Sequence, residues 1–261
     1  MATIPFAAPS RHVVSVDAFH RMGETGILGP ADRVELIDGE IIDMSPIGVL
    51  HAAIVARLAS YFSQQLGARA IVWCQNPLRL DDISEPEPDI VILRPRADFY
   101  TTAHPGPADV LLVIEVADSS LAYDLGTKVP LYARHGIPEV WVIDAATRQT
   151  SVFRRPTTRP EAGRPAGSAP AGSAPAGSAP AGSAPAGSAP AGSAPAGSGY
   201  ADESSIGPEE AVSCAAVVAD GGGRVVVELA RLLPAVPLNP GSLNPGSLRQ
   251  GPSDRGPFDR G

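Results

Sequence analysis

The spacing of apolar side chains changes several times along the chain, and each change marks an element. Ser15 is placed to cap a short helix from Val16 to about Met22, which Gly23 would end. Two β-prone runs, Val34–Ile37 and Glu40–Ile42, then meet across Asp38-Gly39. Asp-Gly is the strongest short hairpin signal, because both central turn residues need positive φ. From Val49 to Leu66 the period lengthens: Ile54, Leu58, Tyr61, Phe62 and Leu66 recur at steps of three and four on one helical face. Gly67 is the expected stop. Four extended runs follow, Ala70–Gln75, Leu78–Leu80, Asp89–Leu93 and Val110–Val116. The last is apolar on both faces and reads as a central, doubly covered strand. It nevertheless carries Glu115, an expensive residue to bury without a partner. A helix starting near Thr127 and closing at His135-Gly136 would take Pro130 in its first turn, where the missing N–H does no harm. Val140–Asp144, Thr150–Phe153, Ala211–Val218 and Arg224–Val226 read as further strands, and Val227–Leu233 as a short helix.

Residues 166–195 break this pattern with six tandem copies of Ala-Gly-Ser-Ala-Pro. Their side chains are too small to build a core, so 156–199 is expected to be disordered, as is the Pro/Gly-rich tail 237–261. The segment between them is too short to fold alone. The expectation is therefore one domain assembled from residues 1–155 and 200–236, with the array extruded between two strands of one sheet. Such a loop is cheap, since each doubling of its length costs only about 0.6 kcal/mol.

Composition narrows the classes. No run of 18 apolar residues exists, and the first residues lack a stretch fit for a secretory signal. The two cysteines, Cys74 and Cys214, form neither a disulfide framework nor a CxxC site. A cytoplasmic protein with no membrane contact is expected. Lys and Arg total 20 against 28 Asp and Glu, a net charge of −8. A protein that coats nucleic acid would usually be basic, so any contact with it should be local, weak or transient. Nineteen of the 20 basic residues are arginine, and Lys128 is the only lysine. A lone lysine suggests a place that needs a compact ammonium; the bland alternative is survival on a solvated surface.

Asp89 opens one strand after Pro88, and Glu115 closes the central one. If the strands are neighbours, the two carboxylates converge at one end of the sheet. Two hard oxygen ligands completed by water and phosphate describe a Mg²⁺ site, with Mn²⁺ as the substitute, rather than a zinc site. Lys128 follows thirteen residues after Glu115 and can reach that end. Two acids and a lysine around a divalent cation can hydrolyse a phosphodiester.

The chain resembles the Uma-two family of restriction endonucleases, within the PD-(D/E)XK nuclease superfamily. The likeness is carried by Pro88-Asp89, Val-Ile-Glu115-Val-Ala-Asp-Ser-Ser, Lys128-Val-Pro-Leu-Tyr132 and Gly136-Ile-Pro-Glu-Val-Trp-Val-Ile-Asp144. Upstream, Glu35-Leu-Ile-Asp-Gly-Glu40 and His51 match the family's opening hairpin and first core helix. The resemblance implies an α/β (α+β) fold with a restriction-endonuclease-like core, a mixed central β-sheet flanked by helices. It also implies Mg²⁺-dependent cleavage of DNA, with Asp89 and Glu115 as metal ligands and Lys128 as the catalytic lysine. Many nucleases of this fold pair up to cut both strands, so a homodimer is compatible. One departure stands out: the lysine of a strict Glu-X-Lys would fall at 117, which is Ala117.

Competing readings stay open at this level. Asp89 could be a turn residue, Glu115 a strand-end acid paired with arginine, and Lys128 part of a surface cluster with Asp124 and Tyr132 at i, i+4 spacing. Of the hairpin acids, Glu40 is favoured over Glu35 to face the metal. His51 is either a capping or surface residue or a substrate contact; Tyr132 and Trp141 read as core aromatics. His104 and His135 show no metal-ligand spacing. The alternatives to an endonuclease are an inactive nuclease-fold module and a Mg²⁺-dependent hydrolase of small phosphate esters. A groove lined by several of Arg33, Arg57, Arg79, Arg94 and Arg96 would favour a polymer. Lys128→Ala is the natural probe, expected to remove activity without unfolding the chain.

Overall fold

The computed structural model describes residues 11–157, 199–214 and 225–234. Helix α1 (Val16–Glu24) starts at Ser15, whose hydroxyl accepts from the Ala18 amide at 3.2 Å, and runs just past Gly23. Strands β1 (Val34–Ile37) and β2 (Glu40–Asp43) form the expected hairpin. Asp38 and Gly39 turn the chain at φ 50° and 77°, the conformation their sequence anticipates. Helix α2 (Val49–Leu66) buries Ile54, Val55, Leu58, Phe62 and Leu66 along one stripe.

A six-stranded mixed sheet forms the centre, flanked by helices, in the order β3 (Ile71–Cys74), β4 (Ile90–Leu93), β5 (Val110–Ala117), β6 (Glu139–Asp144), β7 (Thr150–Pro156), β8 (Tyr200–Ile206). All neighbours are antiparallel except β5 and β6, which run parallel. Every residue of β5 is buried, as its apolar run requires. The pleat sends Leu112, Ile114 and Val116 toward α2, and Val113 and Ala117 toward Val129, Leu131 and Tyr132. Strands β9 (Ala211–Cys214) and β10 (Val225–Glu228) pair with each other, and α5 (Leu229–Leu232) follows. Their Val212, Val227 and Leu229 join the cluster on the α2 side.

Four expectations change. Leu78 and Leu80 are buried but the run 78–80 forms no ladder, because the Leu78 and Leu80 amides turn back to the Pro86 and Ser84 carbonyls and the Arg79 amide reaches that of Pro105. The helix expected from Thr127 begins six residues earlier: α3 (Leu121–Tyr123) runs through a π-turn (Asp124–Lys128) into α4 (Val129–Arg134). There the Val129 amide reaches back five residues to the Asp124 carbonyl. This wide turn makes room for the Pro130 ring, which would otherwise collide with the carbonyl four residues before it. Strand β8 was not apparent in the sequence, since it is a polar edge strand with mostly exposed residues. Strand β10 extends to Glu228, so the last helix starts at Leu229.

The repeat tract within 158–198 and the tail from 237 lie outside the described residues. Their flank is well defined: Pro156 pairs with Tyr200, and the Thr157 amide donates to the Gly199 carbonyl at 2.8 Å.

Candidate active site

The pleat of β5 puts Glu115 on the same face as Val113 and Ala117, and α4 covers that face. Lys128 and Tyr132 lie one helical turn apart and both reach Glu115. The Tyr132 hydroxyl donates to Glu115 Oε1 at 2.6 Å, and Lys128 Nζ lies 3.3 Å from the same oxygen. Lys128 Nζ is also 3.1 Å from Oε2 of Glu35, delivered by β1, and that oxygen accepts from the Glu87 amide at 3.2 Å. Glu35, Glu115 and Lys128 are exposed by only 2, 2 and 5 %. The only lysine is therefore the bridge between two buried carboxylates.

Asp89 approaches from the other side. The β4–β5 ladder ends at Ile90 opposite Ile114, and beyond it Asp89 Oδ2 accepts from the Val116 amide at 2.8 Å. The Asp89 amide in turn donates to Glu115 Oε2 at 3.4 Å. One carboxylate is thus stitched to the strand that bears the other. His51, in the first turn of α2, brings Nε2 to 2.9 Å from Asp89 Oδ1. These groups face a cavity of about 300 Å³, whose wall also includes Arg33, Gln75, Glu87, Asp118, Tyr123 and Asp124. Gly48, the N-cap of α2, admits Asp118 closely: a Cβ there would stand 2.6 Å from Asp118 Oδ2.

The electrostatics follow from burial. Removal from water pushes the Glu115 pKa up to about 8, against the pull of Lys128. Burial likewise raises Asp124, despite the Ser120 hydroxyl that donates to it at 2.6 Å, and raises Glu87 beside Glu35. For Lys128, burial acts downward, but the joint attraction of Glu115, Glu35 and Asp124 outweighs it and holds the ammonium above its ordinary pKa. Contact with Asp89 raises the pKa of His51. The pocket thus gathers acidic groups around the buried Lys128 ammonium, an arrangement that favours a further positive ion.

Several sequence readings are resolved here. Asp89, Glu115 and Lys128 surround one space, and Lys128 is no surface residue. Ala117, where a strict motif would carry lysine, is buried, and the π-turn supplies the amine instead. The preference for Glu40 fails. Glu40 stands beside the hairpin turn opposite Ile37, is exposed, and pairs with Arg11 at 2.5 Å, whereas Glu35, further along the ribbon, points at Lys128. His51 is a cavity residue, not a cap, and Tyr132 is both core aromatic and hydrogen-bond donor to Glu115. Of the five arginines proposed for a groove, only Arg33 lines the cavity. Arg79 is taken by Asp17 and Asp82, and Arg96 by Asp98. Sequence reasoning gave no role to Glu87 and Tyr123, and named Asp124 only as a surface neighbour. The Asp124/Lys128/Tyr132 spacing was the available signal for the last.

The donor set fits a hard divalent cation. Asp89 and Glu115 offer carboxylate oxygens on adjoining strands, and small cations of this kind take one or two carboxylates and keep several waters. His51 Nε2 is buried beside them, 2.9 Å from Asp89 Oδ1, at the rim of the same space.

The profile of a family named Uma2, described as "Putative restriction endonuclease", matches residues 16–172, more than half of the chain. No curated protein matches the sequence. Among solved structures, the chain is similar to "a putative nuclease belonging to DUF820" from Anabaena variabilis, at 20 % identity and a TM-score of 0.44, over 56 % of this chain and 82 % of that one.

Proposed function

The chain belongs to the Uma2 family, described as "Putative restriction endonuclease", and from that premise we propose that it is a metal-dependent endonuclease that hydrolyses phosphodiester bonds of DNA. The observation that carries the proposal is the meeting of Asp89, Glu115 and the only lysine around one cavity. In this reading Asp89 and Glu115 hold Mg²⁺, or Mn²⁺ in its place. The bound cation would supply Lewis-acid charge to the phosphoryl group and lower the pKa of a coordinated water. Tyr132 and Lys128 fix Glu115 through Oε1, which leaves Oε2 directed at Asp89. Lys128, pinned by Glu35 and Glu115, presents fixed positive charge to the negative charge that grows on the phosphate. His51 keeps Asp89 oriented and is placed to contact substrate. No helix among the described residues is long and apolar enough to cross a membrane.

A second reading, hydrolysis of small phosphate esters, draws on Arg33 being the only one of the five candidate arginines at the cavity. Both are tested by incubating supercoiled plasmid, and separately bis(p-nitrophenyl) phosphate, with the protein and Mg²⁺ or Mn²⁺. The endonuclease reading expects plasmid nicking that falls roughly 100-fold or more in Asp89→Asn, the scale of a single preorganised electrostatic group. Turnover of the small ester alone selects the second reading. Inertness toward both, across salt and metal conditions, leaves a nuclease-fold module without catalysis.

A further inference from the structure

Away from the cavity, three segments bring together a second set of ligating side chains. Among the described residues, His20, Glu85 and His104 are the one group of three His, Cys, Asp or Glu whose ligand atoms all lie within 4.8 Å of one another. None of them lines the cavity of Asp89 and Glu115. We infer that His20, Glu85 and His104 form a site for a divalent transition metal of the zinc class, separate from the proposed catalytic centre.

The backbone prepares each ligand. His20 stands one turn after the fully buried Val16, so it shares the inward face of α1. The Val16 amide ties that helix to the Asp82 carbonyl at 2.8 Å. Glu85 exchanges two backbone hydrogen bonds with Leu36 of β1, at 2.7 and 3.3 Å. His104 precedes Pro105, whose carbonyl accepts from the Arg79 amide at 3.0 Å. The two imidazole rings stand edge-on, 5.9 Å between centroids.

The independent observation lies in Glu85. Its side chain is 2 % exposed; Oε1 is 2.5 Å from His20 Nε2, while Oε2 is buried with no hydrogen-bond partner among the described residues. A buried carboxylate oxygen without a donor is costly, and a cation removes that cost. Two imidazole nitrogens and one carboxylate oxygen suit zinc and its neighbours, not Mg²⁺ or Ca²⁺. Three protein ligands leave a fourth position for water, and His104, the exposed member, is on the route by which the ion would arrive. With metal–ligand bonds of about 2.0–2.1 Å, tetrahedral ligand atoms sit roughly 3.3 Å apart, so His20 and Glu85 part by slightly under ~1 Å on loading. The ion would brace α1, the loop before β4 and the loop before β5. Through Leu36 it would also steady the strand that carries Glu35.

The test uses the full chain, stripped with chelator and titrated with Zn²⁺ by calorimetry, with thermal melts and Co²⁺ absorption in parallel. One equivalent of Zn²⁺ should bind, raise the melting temperature, and give with Co²⁺ the intense visible bands of a tetrahedral centre. His104→Ala, at an exposed position that leaves the fold alone, should weaken binding roughly 100-fold or more, and Glu85→Gln likewise. Asp89→Asn should keep this equivalent, which separates the site from the proposed catalytic one. Failure of wild type to bind Zn²⁺, or unchanged binding in His104→Ala, overturns the inference and leaves His20 and Glu85 as an ordinary hydrogen-bonded pair.

Discussion

Replacing Lys128 with methionine keeps most of the side-chain volume and deletes one charge, so its effect reports the electrostatics of the buried cluster. Nζ contacts carboxylates at 3.1 and 3.3 Å, and all three groups are nearly inaccessible. At an effective dielectric of about 20, each contact is worth roughly 5 kcal/mol before the cost of dehydrating the ions. That cost cancels much of the sum, and removing one partner of such a cluster leaves a net loss of about 3–5 kcal/mol. The loss should depend on pH with a definite sign. Burial already holds the Glu115 pKa near 8, above its unfolded value, and without the ammonium it rises further. A raised carboxyl pKa favours the folded state at low pH and ceases to do so as pH climbs through the folded value. Lys128→Met should therefore cost less at pH 6, where Glu115 can take a proton, than at pH 9. Urea unfolding followed by the fluorescence of Trp73 and Trp141, with extrapolation to water, measures both. A loss under about 1 kcal/mol at both pH values, or a larger loss at pH 6, would refute the argument. It follows that Lys128→Ala is a poor catalytic probe, because lost activity would be mixed with lost structure.

Two further outcomes are expected. Deleting residues 166–195 removes 30 of the 41 residues between Thr157 and Gly199, which already meet at 2.8 Å. The shorter connection should stabilise by at most about 1 kcal/mol, so a melting temperature that drops by more than about 5 °C would contradict it. Asp81 is held below the usual carboxylate range: burial acts upward, but the His135 ring at 3.0 Å and the Ile83 amide outweigh it. A depressed folded pKa adds stability that is present above the unfolded value near 3.8 and lost as pH falls through the folded one. Asp81→Asn should thus lower the melting temperature slightly at pH 7 and leave it unchanged near pH 2; an equal effect at both would argue against this pairing. The cost should stay under about 1 kcal/mol, because the contact is partly solvated.

The legible parts of the sequence were those with local causes. Asp38-Gly39 dictates its turn, the stripe from Ile54 to Leu66 dictates the face of α2, and the apolar run of β5 dictates its central place. Glu115 was conspicuous because it interrupts such a run, and Lys128 because no other lysine exists. What escaped depends on contacts distant in sequence. Whether Glu35 or Glu40 turns inward is decided by where the hairpin lies against Lys128 and Arg11, not by the hairpin itself. The π-turn arises from packing around Pro130, and β8 has too little apolar pattern to announce itself. His20, Glu85 and His104 share no short spacing, so only the folded chain brings them together.

The widened turn before Pro130 makes the alignment of α3 and Asp124 with the amine a matter of phase. An α-helix advances about 100° per residue, so each residue counted into or out of the turn ahead of Lys128 rotates Asp124 and α3 around the axis relative to Lys128 and α4. The anchored side chains Val129, Leu131 and Tyr132 hold α4 still against the sheet. A single-codon insertion or deletion there would leave Lys128 and α4 in place and turn Asp124 away from the ammonium it helps to hold. Length in this one short stretch, more than residue identity, is therefore the quantity along which drift should be least tolerated.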